Sequence, residues 1–293
     1  MTAREALFYG LIPGIIYLAK NNNLGHEKRD AAIRDCESLV SEELMKRLLQ
    51  SFLDGNKVKV LPPLLQLMDT GEDGKVTWIP YHMTVALDVF GQNENLSHSM
   101  RLGLGHLVKH LEQFRDSKEA SGDGWEALFV STLLIRALSG KFDTTCFSLE
   151  TEDFKDCTVS FNRGMSGSGS HLIKSVDEFV GQIKEPDSYP HIGIFYPRHA
   201  SFEEVDVIVA AWREKGNRVL YGYQLKEGKA LPQNEPNALF DSCWVIRGDA
   251  PRNGKEVRHW VPFNASDVNE FFGYSGAQWT PTGWRELNKS CWT

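Results

Sequence analysis

The stretch Ser201-Phe-Glu-Glu-Val-Asp-Val-Ile-Val-Ala-Ala-Trp212, the turn Arg213-Glu-Lys-Gly-Asn217 and the run Arg218-Val-Leu-Tyr-Gly-Tyr-Gln-Leu-Lys226 decide how the second half of this chain is read. Two apolar, β-branched runs separated by a charged, glycine-containing turn describe a β-hairpin. Strand alternation places Val205, Val207 and Val209 on one face and Asp206 on the other, while Gln224 and Lys226, two apart, point the same way. An acid and a Gln-x-Lys pair are thereby expected to converge. A carboxylate and an amide carbonyl are hard oxygen ligands suited to Mg²⁺. A lysine beside a metal-bound water and a phosphate can position the water and offset the charge that develops in the transition state. Metal-assisted phosphodiester hydrolysis is the reaction class that such a set serves.

Upstream, Gly124-Trp-Glu-Ala-Leu-Phe-Val-Ser-Thr-Leu-Leu-Ile-Arg-Ala-Leu138 has helical periodicity and ends at Ser139-Gly140, a left-handed stop. Glu126 is its only acid, in the first turn, with Phe129, Val130 and Leu133 as helical neighbours. It is a further candidate metal ligand; as a plain helix-start acid it would contribute a few tenths to about 1 kcal/mol. Glu203 and Glu204 read as solvated edge charges and His199 as a surface loop residue. Arg198, Arg213, Lys215, Arg218 and Lys229 are candidates for a nucleic-acid groove or for a solvated turn.

Further strands are expected at Thr145 to Leu149, Thr158 to Phe161, His191 to Tyr196 and Cys243 to Arg247, and a helix around Asp267 to Phe272, so the second half reads as mixed α/β. The first half differs. Apolar residues recur at three and four from Glu27 to Leu53, from Met83 to Phe90 and from Ser97 to Phe114, the last with Leu102, Leu104, Leu107, Leu111 and Phe114 on one side. Pro62 and Pro63 interrupt it, and Thr70 to Gly74 forms a turn into a short strand at Lys75 to Ile79. The polar stretch Asp116 to Asp123 has the composition of a linker. The chain is therefore divided into a mainly helical domain with its own core, residues 1–118, and an α/β domain, residues 119–293.

The order of helix with an early Glu126, strand, strand with Asp206, turn, and strand with Gln224-Leu-Lys226 resembles the core of the PD-(D/E)XK, or restriction-endonuclease-like, nuclease superfamily, with Gln where Glu is frequent. The resemblance covers about residues 122–250. The phrasing Tyr196-Pro, Ser201-Phe-Glu-Glu-Val-Asp206 and Tyr223-Gln-Leu-Lys226 is similar to the C-terminal nuclease domains of Crinkler effectors and retrotransposon hot spot proteins. It implies an endonuclease fold, Glu126, Asp206, Gln224 and Lys226 as active-site residues, Mg²⁺ or Mn²⁺ as cofactor, and DNA as partner, with RNA still open. Those relatives place an ATPase before the nuclease, which implies an ATPase domain in a longer parent protein. The insertion from about Phe154 to Pro190 exceeds the minimal fold.

The net charge of -7 and pI near 5.7 argue against nucleic-acid binding by bulk charge, so a nuclease needs a local basic surface. A catalytically silent nuclease fold that binds nucleic acid or protein is the alternative. Cys36, Cys146, Cys157, Cys243 and Cys291 show no metal-ligand spacing and read as buried thiols of an intracellular, reducing compartment. The apolar run Leu7 to Ala19 contains Pro13 and is too short for a membrane span, so no membrane partner is expected. Gly164-Met-Ser-Gly-Ser-Gly-Ser170 lacks the lysine of a phosphate-binding loop and reads as a flexible connection. Trp260, Trp279, Trp284 and Trp292 read as packing of the C-terminal segment.

Overall fold

The computed structural model describes residues 40–56, 68–70, 75–78, 80–116, 122–163, 175–196, 205–226, 237–247, 261–262 and 265–280. The expectations for 7–19, for 164–170, for Arg198, His199, Glu203, Glu204 and Lys229, and for Trp260, Trp284 and Trp292 lie outside these residues. In chain order the elements are α1 (Glu42–Asp54), β1 (Met68–Thr70), β2 (Val76–Trp78), α2 (Pro80–Gly91), α3 (His98–Asp116), α4 (Gly122–Ser139), β3 (Asp143–Thr144), β4 (Phe147–Ser148), α5 (Thr151–Phe154), β5 (Thr158–Arg163), α6 (Val176–Gln182), β6 (His191–Tyr196), β7 (Val207–Glu214), β8 (Asn217–Lys226), β9 (Ser242–Arg247), β10 (Val261–Pro262) and α7 (Ala265–Trp279). The chain is thus mixed α/β.

Six strands form one sheet in the order β10-β9-β8-β7-β6-β5. β7 runs antiparallel to both neighbours, and every other pairing is parallel. The β7–β8 hairpin is the one that the sequence announces, its turn closed by Gly216 at φ 78°, a conformation open to residues without a Cβ. Because both faces are covered, β7 is a continuous apolar run rather than an alternating one. Val207, Val209 and Ala211 join a large core, and Ile208, Ala210 and Trp212 a smaller one under α6.

Helix α4 lies across the large-core face. Leu128, Phe129, Val130, Leu133, Leu134 and Ile135 are all fully buried, so this helix has no solvent side through its middle and needs partners all round. It packs on α3, α1, α7 and strands β6 and β8. α1 begins at Ser41, whose side chain accepts from the Leu44 N–H at 3.2 Å, and stops at Gly55, φ 69°. Gly140, φ 69°, ends α4 in the same manner.

The core expected to be private to residues 1–118 is not found among the described residues. Leu44, Phe52, Leu104 and Leu111 belong to the same apolar cluster as Phe129, Ile194, Tyr223 and Phe272. The reason is that α4, apolar on every side, offers one surface to the sheet and another to α1 and α3. Leu102 is also corrected, being 53% exposed. At about 100° per residue it falls some 200° from Leu104, away from the stripe of Leu104, Leu107 and Leu111.

The strand expected at 145–149 is a two-residue rung paired with β3, outside the main sheet. The expected short C-terminal helix extends to Trp279 and breaks at Gly273, φ 70°, where a Cβ would lie 2.6 Å from the Leu53 Cα. Trp279 covers the core as expected, its ring 4.8 Å from Phe52 and its N–H donating to the Trp78 carbonyl at 2.9 Å. The long insertion supplies β5 at one sheet edge and α6 over the second face. No helix among the described residues is long and apolar enough to cross a membrane.

Candidate active site

The site is built at one edge of the sheet, where β5, β6, β8 and β9 end and β7 begins. Cross-strand pairs fix this: Arg163 lies opposite Tyr196, Val207 opposite Tyr223, and Lys226 opposite Arg247. The carboxyl ends of parallel strands are where open α/β sheets bind ligands, because connections diverge there and leave a crevice. Arg163, Lys226 and Arg247 hold the terminal positions of three strands on this edge; their side chains lie outside the described residues.

Asp206 sits immediately before β7, and its geometry departs from the simple alternation. Its N–H donates to the Tyr223 carbonyl at 2.7 Å, and its Oδ2 accepts the Leu225 N–H at 2.5 Å. A strand N–H lies in the plane of the sheet, so the carboxylate stands where a neighbouring strand's carbonyl would be. Asp206 therefore projects along the sheet rather than from a face.

The bend also moves Val205. Expected to share a face with Val207, it lies in the other cluster, with Ile208. A Cβ on Gly222 would meet the Val205 side chain at 3.0 Å and the Cys243 sulfur at 3.2 Å, so the absent side chain at 222 is what lets Val205 cross over.

Gln224 follows Gly222 by two and shares its face, the α6 side, where it is 4% exposed. Lys226 ends the strand, and its side chain lies outside the described residues. The Gln-x-Lys pair is thus tied to Asp206 through the main chain of Leu225, the residue between its two members. Glu126 reaches the same edge from the opposite, α4 side. Its Oε2 accepts the hydroxyl of Tyr196, the last residue of β6. Asp206 thus stands in the plane of the sheet at this edge, with Gln224 on the α6 face and Glu126 on the α4 face.

Carboxylates and an amide carbonyl are oxygen donors of the kind that suits Mg²⁺ or Mn²⁺ rather than zinc. Among the described residues no three His, Cys, Asp or Glu side chains gather into a metal-binding group; a set with two acids relies on the amide and on water for its remaining oxygens.

Sequence reasoning gave no role to Tyr196, His106 or His110. The His110 ring meets Tyr196 edge-on at 6.0 Å and Phe161 at 4.9 Å, and His106 lies 4.8 Å from Phe161. Burial, then the neighbouring Lys109 charge, holds His106 below the usual histidine range. The signal available was two histidines four apart, hence on one face of a helix.

Two other polar groupings have structural explanations. His191 bridges Thr158 at 2.6 Å and Ser160 at 2.8 Å across the β5–β6 pair and is held below the ordinary pKa by burial. A cleft of about 620 Å³ near the other end of α4 is lined by Asp54, Lys75, Arg136, Lys141, Asp143 and Glu270 among others. Its charges are largely matched, Lys141 with Asp54 at 3.4 Å and Arg136 with Asp143 at 3.9 Å. Burial pushes the Cys157 thiol up to about 12 and the Cys146 thiol higher still, so neither supplies a thiolate ligand or nucleophile near neutrality. Comparison of the chain with family models, with curated proteins and with solved structures finds no match.

Proposed function

We propose that this protein is a metal-dependent nuclease that hydrolyses phosphodiester bonds of DNA, with a restriction-endonuclease-like core around Glu126, Asp206, Gln224 and Lys226. The observation that carries the reading is the 2.5 Å hydrogen bond from the Leu225 N–H to Asp206. It fixes the acid beside the Gln-x-Lys pair at the carboxyl edge of the sheet. Helix α4 and strands β6, β7 and β8 follow one another in the sense of the helix and strands on which the resemblance rests, with β3, β4, α5, β5 and α6 between α4 and β6; that sequence of elements supports the reading.

In this reading Asp206 and Glu126 supply anionic oxygens to Mg²⁺ or Mn²⁺, and Gln224 supplies a neutral carbonyl oxygen. The bound cation would polarise the phosphodiester and acidify a coordinated water. Lys226 orients that water and offsets the growing negative charge on the phosphate. Asp206, locked to the main chain of β8, needs little reorganisation to hold its place. In the same reading Arg163 and Arg247, the terminal residues of β5 and β9, would contribute the local basic surface that the net charge of -7 withholds.

Incubation of the purified protein with plasmid DNA and Mg²⁺ or Mn²⁺, against EDTA, tests the proposal. Cleavage that requires the cation and is lost in Asp206→Ala supports it. Absence of cleavage on DNA and RNA alike, under both cations, would leave a silent binding module instead.

A further inference from the structure

We infer that Tyr196 is a positioning residue for Glu126, and that His110 of α3 holds its ring in place; the inference rests on the proposed metal site. Tyr196 is the last residue of β6, and its hydroxyl donates to Glu126 Oε2 across the gap between sheet and helix α4. A glutamate side chain near a helix start has several rotamers, and ordering one carries an entropic cost. A phenol on a strand end has two torsions and a fixed reach, so its hydrogen bond holds the carboxylate with little freedom of its own. Carboxylates that bind metals are typically oriented in this way by outer hydrogen bonds, and losing one costs about 10–100-fold in metal affinity or activity.

The phenol is itself held. The His110 ring stands at 89° to the Tyr196 ring, centroids 6.0 Å apart, and His110 is 2% exposed. It also meets the Phe161 ring of β5, centroids 4.9 Å apart. The chain of contact runs from α3 through His110 and Tyr196 to Glu126. It gives the N-terminal helices a part in the site: they fix the ring that fixes the acid.

The test is Mn²⁺ binding by titration calorimetry on the full chain, for wild type, Tyr196→Phe, Glu126→Gln and the double variant. Tyr196→Phe keeps the ring against His110 and removes only the hydroxyl, so a thermal unfolding midpoint close to wild type is expected. Mn²⁺ affinity should fall about tenfold in Tyr196→Phe, and the same change made in Glu126→Gln should have less than about a twofold effect, since the hydroxyl then has no carboxylate to position. If Glu126→Gln weakens Mn²⁺ binding but Tyr196→Phe leaves it unchanged, the positioning role is wrong and the metal site stands. Tighter binding in Tyr196→Phe would also overturn the inference, making the phenol a competitor of the cation. If Glu126→Gln leaves the affinity at the wild-type value, Glu126 is not a ligand, and both the inference and that part of the proposed site fall together.

Discussion

Helix α4 carries a charged side chain near each end, Glu126 and Arg136, ten residues and so about 15 Å apart along the axis. Arg136 is 4% exposed. Its guanidinium donates to the carbonyls of Phe271 at 2.7 Å, Lys141 at 3.3 Å and Glu270, and it lies 5.5 Å from the Phe271 ring. Those partners are main chain, and they stitch α7 to α4. Glu126 instead meets a side-chain hydroxyl at the edge where four strands end. A buried or half-buried charge is therefore no sign of function by itself; what it is bonded to, and where on the sheet it stands, separates a structural clamp from a candidate site.

The comparison can be broken first at Arg136. Arg136→Ala should lower the unfolding free energy by about 3 kcal/mol, because three charge-assisted bonds are lost and buried carbonyls are left unmet. Urea denaturation measures it, and any cleavage per folded molecule should stay at the wild-type level. A large loss of cleavage with little loss of stability would reverse the roles assigned to the two ends of α4.

At the other end Asp206→Ala should weaken both Mn²⁺ binding and cleavage, since neutral Gln224 cannot replace an anionic ligand. It should also cost about 1–2 kcal/mol of stability from the unmet Leu225 N–H. Stability lost without any change in Mn²⁺ affinity would make Asp206 a plug for the strand end and nothing more.

Much of this was legible in the sequence, for identifiable reasons. Strand β6 has the bounds read from its apolar run, β7 is the expected 205–212 strand displaced to Val207–Glu214, and β8 extends the expected 219–225 strand by two residues at its start and one at its end, because a buried strand with β-branched residues and a glycine turn leaves few alternatives. Pattern alone did not reveal that Asp206 leaves the alternation. That depends on a close approach of Val205 to Gly222, a contact between residues seventeen positions apart. The shared core was hidden for a similar reason. A helix apolar all round, such as α4, says that it has partners on every side without saying which, and the polar stretch before it looked like a boundary. Tyr196 carried no local signal of its role, since its partner is seventy residues away.

A smaller effect separates the other face of the sheet, where His191 is held neutral by burial. Its folded pKa is depressed below 6.5, so between the folded value and 6.5 the unfolded chain binds more protons than the folded one, and stability falls as pH falls through that window. His106 acts in the same direction. Urea midpoints measured from pH 7.5 to 5 should therefore decline, and His191→Gln should flatten part of the slope. An unchanged slope would assign the acid sensitivity to His106 or to the carboxylates.

The central claim is tested most directly by the initial rate of Mg²⁺-dependent plasmid cleavage in Lys226→Ala against wild type, with Mn²⁺ binding confirmed in both. The account predicts a rate at least about tenfold lower, equivalent to about 1.4 kcal/mol of transition-state stabilisation, with the cation still bound. A variant that cleaves at the wild-type rate would contradict it.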